Sequence, residues 1–188
     1  MDNIWVVAAV IGLPLLYAIT LYNRFVALRQ TRTNAFSDID VQLKQRFDLV
    51  PQLVETVKGY AAHEKGTFEN VTQARAEVGR HPGAGSDRMR AEGMLGGALM
   101  GLFAVAENYP QLKADQNFQR LMAELSDIEN KIAAARRFFN SATNELNTAV
   151  QQFPGNIVAG MFGFKTEPFF EVDDAMKAAM DKAPEVKF

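Results

Sequence analysis

Residues 3–23, NIWVVAAVIGLPLLYAITLYN, carry no charged side chain, and a run of that length and character has few ways to fold. As an α-helix rising ~1.5 Å per residue it reaches roughly 30 Å, the thickness of a bilayer's hydrocarbon core. In hydrocarbon only helices and closed barrels satisfy every backbone N–H and C=O. The sequence therefore predicts a transmembrane anchor over residues 1–23, its apolar character carried by Ile4, Trp5, Leu13, Leu16, Ile19 and Leu21. Pro14 lies mid-span, where membrane helices tolerate proline if neighbours or water satisfy the freed carbonyl. Asp2 and the amine are the only charges before the run, so it lacks the basic flank of a cleaved signal and an uncleaved anchor is expected.

Arg24, Arg29 and Arg32 crowd the C-terminal side of the span. By the positive-inside rule this places the bulk of the chain in the cytoplasm and the N-terminus outside, at a bacterial cytoplasmic membrane. The formal net charge is −2 and like charges never run to five, which argues against nucleic acid as a partner. The chain has no cysteine. Disulfides, thiolate metal sites, thiol nucleophiles and a lipid-modified N-terminal cysteine are all excluded by that absence.

Beyond the anchor the dominant signal is helical. Phe118, Leu121, Leu125, Ile128, Ile132, Ala135, Phe139, Ala142, Leu146 and Ala149 alternate spacings of three and four, one apolar seam on a long helix. Asp115 is its expected N-cap, Asp127 and Lys131 an exposed i,i+4 pair, and Phe153-Pro154-Gly155 its stop. Phe25, Leu28, Ala35, Ile39 and Leu43 continue directly out of the span, so anchor and first bundle helix form one rod. RFDLVP predicts a turn near Phe47, with Asp48 capping and Pro51 opening a second helix that runs to the RHPGAGS loop. A third helix, from Ser86 or Asp87 to before Pro110, is uncharged from Gly93 to Ala106, fourteen residues. That is too short to span, so it reads as a core helix. Four amphipathic helices imply an all-α, antiparallel up-and-down bundle over residues 24–153, with Leu121, Leu125, Ile128, Ile132, Phe139 and Leu146 in its core.

Gly93, Gly97 and Gly101 form a GxxxGxxxG stripe, expected to give close packing inside the bundle or, alternatively, a subunit contact. After Phe153 periodicity fails. Residues 154–188 read as a tail with a short helix from Asp173 to Asp181, packed on its own bundle, a neighbouring subunit or the membrane surface. Phe162, Phe164, Phe169 and Phe170 join the glycines as candidate oligomer contacts. Asn130, Asn140, Asn144 and Asn147 lie beside the long seam, where their amides can bond to another helix or to the tail.

Chemistry is sparse. His63-Glu64 opens like a zinc-protease HExxH helix, but Thr67 stands where the second histidine belongs. Glu64 falls on the apolar seam and is expected to be a buried, hydrogen-bonded carboxylate. No nucleophile with a matched base and no phosphate-binding glycine loop is visible. No cofactor, metal or catalytic residue is assigned.

The blocks FSDIDVQLKQRFDLVPQLVETVKGYAAHEKGTFENVTQARA, AENYPQLKADQNFQRLMAELSDIENKI, FPGNIVAGMFGF and PFFEV resemble the LemA family of bacterial proteins, from about Tyr22 to Phe188. The resemblance implies a largely antiparallel helical bundle behind an N-terminal membrane anchor. It implies no enzyme activity and no catalytic residues. Some similar proteins carry an N-terminal lipoprotein cysteine, which this chain lacks. The favoured function is a non-enzymatic scaffold or interaction module, a homo-oligomer at the membrane with lipid and another membrane protein as partners. An accessory or sensor subunit for an envelope protease or transporter is the alternative. A metal-dependent enzyme using His63, Glu64, Glu124 and Glu129 ranks below both.

Overall fold

A computed structural model of the chain describes residues 2–83 and 85–170, the side chains of residues 2–9 and of Ser86 apart. All regular structure among them is helical: α1 Asp2–Lys58, α2 Lys65–Arg80, α3 Ser86–Glu107, α4 Pro110–Ala114, α5 Gln116–Gln151 and α6 Gly155–Phe162. The fold is an all-α bundle led by a long apolar N-terminal helix. Two compact units divide it, one of residues up to Asp38 with Ala134–Phe169, the other of Ile39–Ala133 with Phe170. The tail helix expected at Asp173–Asp181 lies outside the described residues, as do the side chains of Ile4 and Trp5.

The expected turn at Phe47 is absent, because α1 continues through Pro51 to Lys58. Proline has no N–H to give the carbonyl four residues back, which normally weakens a helix interior. Here Arg75 Nε, on α2, donates to the Phe47 carbonyl at 3.0 Å, and its guanidinium stacks 3.8 Å from the Phe47 ring centroid. The orphan is satisfied from outside the helix. The chain reverses later, at Gly59–Glu64, where Tyr60 and Ala61 donate back to the Val57 carbonyl. The seam residues Val50, Val54, Val57, Phe68, Val71 and Val78 are buried whichever helix carries them.

In the second unit α2 packs on α3 and α3 on α4. The expected cap of α5 is present, with Phe118 N–H bonded to Asp115 Oδ1 at 2.8 Å and Tyr60 Oη donating to Oδ2 at 2.9 Å. The Phe118 amide first, then Tyr60, holds the Asp115 carboxyl below its ordinary pKa. Asp127 and Lys131 pair at 2.6 Å. Leu121, Leu125, Ile128 and Ile132 are buried in this unit, as Phe139 and Leu146 are in the first.

The first unit has its own core of Leu21, Phe25, Leu146, Ala149, Val150, Val158 and Ala159, with Ala18, Leu28 and Phe164 packed against it. The glycine that follows the α5 stop, Gly155, is required by space. A Cβ there would lie 2.6 Å from the Ala149 carbonyl oxygen and 3.3 Å from Phe25 Cζ. At the far end of α6, Gly163 takes φ 73° and Phe164 N–H bonds back to the Ala159 carbonyl at 2.9 Å. Only glycine enters that left-handed region without strain.

Candidate functional site

Two charged residues occupy core positions in the second unit. Arg46 continues the α1 seam of Ile39 and Leu43 toward Val50 and Leu53, and Glu92 precedes Leu95, Leu99 and Leu102 on α3. Their side chains are 6% and 5% exposed, and Arg46 Nη2 meets Glu92 Oε2 at 2.5 Å. The same nitrogen donates to the Glu92 carbonyl at 3.2 Å, and Nη1 reaches Glu129 Oε1 on α5 at 2.8 Å. Arg88 Nε takes the other Glu92 oxygen at 2.6 Å, and its Nη2 lies 3.8 Å from Asp40. Burial acts to lower the Arg46 pKa, but Glu129 and Glu92 outweigh it and hold the guanidinium above its ordinary range. Arg46 Nε and Gln42 Oε1 are buried without partners among the described residues. Such a network ties α1, α3 and α5 together at a desolvation cost that its charge-assisted hydrogen bonds offset.

That network fixes one face of α3 inward and leaves the other bare. Leu95, Leu99 and Leu102 are fully buried, whereas Met94, Gly97, Met100, Gly101 and Ala104 are exposed. A Cβ added at Gly93, Gly97 or Gly101 would meet nothing within 4 Å. The stripe therefore does not mediate close packing inside the bundle, as the first of the two sequence expectations had it. Length and composition alone would let Asp87–Glu107 cross a membrane. Its buried tie to Arg46 and its leucine face instead make it a bundle helix with an apolar outer surface.

In the first unit the tail lies along α1 and α5. Asn147 reads the Glu167 backbone in both directions, Nδ2 donating to its carbonyl at 2.9 Å and Oδ1 accepting its N–H at 2.7 Å. Arg32 donates to Pro168 O at 3.0 Å and to Thr143 Oγ1 at 3.1 Å, pairs with Glu167 at 3.5 Å, and stacks 4.7 Å from the Phe139 centroid. Of the tail aromatics, Phe164 packs on Tyr22 and Phe25 and Phe162 sits edge-on to Tyr22 at 4.9 Å. Phe170 is buried, while Phe162 and Phe169 keep much of their surface exposed.

On the anchor, Leu13, Leu16 and Ile19 are 68%, 63% and 49% exposed, while Leu21 turns into the core of the first unit. His63 and Glu64 lie in the turn before α2, so Glu64 is not on a helical seam. It is half-buried and accepts a long 3.4 Å bond from Tyr109 Oη. Glu124 is exposed and Glu129 belongs to Arg46. Among the described residues no three histidine, aspartate or glutamate side chains converge on a metal-sized site. An open groove lined by Lys58, Lys65, Phe68, Glu69, Thr72 and Gln73 faces solvent, and its Thr72 hydroxyl donates to the Phe68 carbonyl of its own helix at 2.8 Å. The buried pair was missed from sequence, whereas an outward-facing glycine stripe on α3 was the second of its two sequence readings. The signal for the pair was available, a lone arginine and a lone glutamate of opposite sign on two otherwise apolar seams.

These features define a class, an all-helical protein led by a long apolar N-terminal helix that fits a membrane anchor. Residues 35–188 match the LemA family, and the chain belongs to it. It is 27% identical over 174 residues to magnetosome protein MamQ of Magnetospirillum gryphiswaldense, covering 79% of this chain and 64% of that one. It is 26% identical over 175 residues to magnetosome protein MamQ 2 of Paramagnetospirillum magneticum, covering 80% and 64%. Protein LemA of Metamycoplasma hominis is 23% identical over 148 residues, covering 79% and 68%. The chain thus spans 64% of the length of the magnetosome relatives.

Proposed function

We propose that this protein is a non-enzymatic scaffold, tethered by its N-terminal helix in a bacterial cytoplasmic membrane with its bundle on the cytoplasmic side, whose copies assemble through the outer face of α3. The observation that carries this reading is the α3 face itself. Helices apolar all round are ordinarily buried all round, yet Met94, Gly97, Met100, Gly101 and Ala104 are covered by nothing among the described residues. Glycines one turn apart let a second backbone approach closely, where dispersion contacts add up. A second copy is the occupant at hand, because a shared membrane confines identical chains to two dimensions and raises their effective concentration. The orientation rests on Arg24, Arg29 and Arg32 beyond the span.

The absence of native cysteine makes the test clean. The full chain carrying Ala104→Cys, oxidised in its membrane, is expected to give a disulfide-linked dimer on a non-reducing gel. Ser126→Cys, at an exposed position on α5, serves as the collision control. Equal cross-linking at both positions, or none at position 104, would overturn assembly through α3.

A further inference from the structure

We infer that α6 is a second membrane contact, a short helix lying in the headgroup region of the bilayer beside the end of the α1 span. This rests on the anchor reading above and adds a surface that reading does not contain. Helix α6 turns Gly155, Val158 and Ala159 into the core formed with Leu21 and Phe25. Its other side is unusually apolar for a solvent face, with Ile157 55%, Met161 76% and Phe162 56% exposed and Phe153 at 81% just before it. Ile157 and Met161 fall one turn apart on α6, a single stripe, and Phe153 precedes the helix. A soluble helix would set charges there, but residues 146–164 contain none.

Three observations identify the occupant as lipid. The first is continuity. Phe162 packs at 4.9 Å on Tyr22, the last aromatic of the span, whose exposed apolar belt includes Leu13, Leu16 and Ile19. An interfacial tyrosine marks the level where hydrocarbon gives way to headgroups. The second is charge. Lys165 follows α6 in sequence, Arg24 and Arg29 follow the apolar run of α1, and none of the three forms an ion pair among the described residues. No acidic residue occurs in α1 between Asp2 and Asp38, and the first acid after α6, Glu167, already pairs with Arg32. Cations beside an apolar stripe suit anionic headgroups over acyl chains. The third is attachment. The Asn147 and Arg32 bonds to residues 167 and 168 fix the chain that leaves α6, so the stripe is presented rigidly at the end of the span.

The test uses full-length protein in vesicles of phosphatidylcholine and phosphatidylglycerol, with an environment-sensitive fluorophore on Met161→Cys. Leu13→Cys serves as the span reference and Ser126→Cys as the aqueous one. The label at position 161 is expected to emit blue-shifted light and to lose at least half its intensity when the lipids carry bromine just below the headgroups. Deeply placed bromine should quench position 13 more than position 161. Aqueous emission at 161 with normal quenching at 13 would overturn the role of α6 alone. Blue-shifted emission at 161 that ignores brominated lipid would overturn it in favour of protein cover, a second copy if dilution in lipid reverses the shift. Failure of quenching at 13 as well would overturn the anchor and this inference together.

Discussion

Arg46 fills a position that periodicity reserves for an aliphatic side chain. Ile39, Leu43, Arg46, Val50, Leu53 and Val57 step by four, three, four, three and four, and every member is buried. The long arginine reaches past its own helix to Glu92 and Glu129 together, a span that lysine's single ammonium would not bridge with the same fork. Removing one partner of a buried pair costs more than the pair contributes, because the remaining charge is left in a poor dielectric. Arg46→Met is therefore expected to destabilise the fold by ~3 kcal/mol, the low end of the range for such losses, since Arg88 still holds one Glu92 oxygen at 2.6 Å. Adding Glu92→Met should restore most of that loss by making the site apolar on both helices. Denaturant unfolding of the two variants in mild detergent checks both, and a single variant as stable as the parent would show that the network carries no energetic weight.

At the scale of the helix, the informative case is α1, whose length was misread at Pro51. Sequence alone offered a cap residue and a proline in the right order for a new helix. What kept the helix going lies 24 residues downstream, in the Arg75 bond to the Phe47 carbonyl. That compensation predicts coupling. Arg75→Met should cost about 1 kcal/mol in the natural chain, the low end of the penalty for an unpaired carbonyl, because the Phe47 carbonyl is only half-buried. In a Pro51→Ala background the new N–H can serve the same carbonyl, so the cost should fall by ~1 kcal/mol, while the lost stacking on Phe47 cancels from the comparison. A double-mutant cycle by thermal unfolding measures this, and strict additivity would sink the account. The same contrast governs what the sequence made legible. The α5 seam, the Asp115 cap and the apolar rod depend on neighbours within a turn or two, and spacing displays them. The Asn147 bonds to the tail and the bareness of the α3 glycines depend on which faces meet after folding. No local pattern distinguishes a glycine stripe pressed against a helix from one facing open space.

Taken as a whole molecule, the protein divides its apolar residues between cores inside each unit and three exposed surfaces: the belt along the N-terminal helix, the α6 stripe and the outer face of α3. For the third, stability and assembly make opposite demands, and one substitution separates them. Were Gly97 pressed against a neighbouring helix of its own chain, a leucine there would overpack the fold and cost ~1–3 kcal/mol. A Cβ at Gly97 meets nothing within 4 Å, and glycine inside a helix costs ~1 kcal/mol relative to better helix formers. Gly97→Leu is thus expected to leave the melting temperature of dispersed subunits unchanged or slightly raised. The same side chain would block a second backbone from approaching at the stripe. Particle mass measured by light scattering on the full chain in mild detergent should fall toward the monomer. A particle of unchanged mass with unchanged stability would mean that α3 contacts no other copy, and a fall in stability would return the stripe to the interior of the bundle.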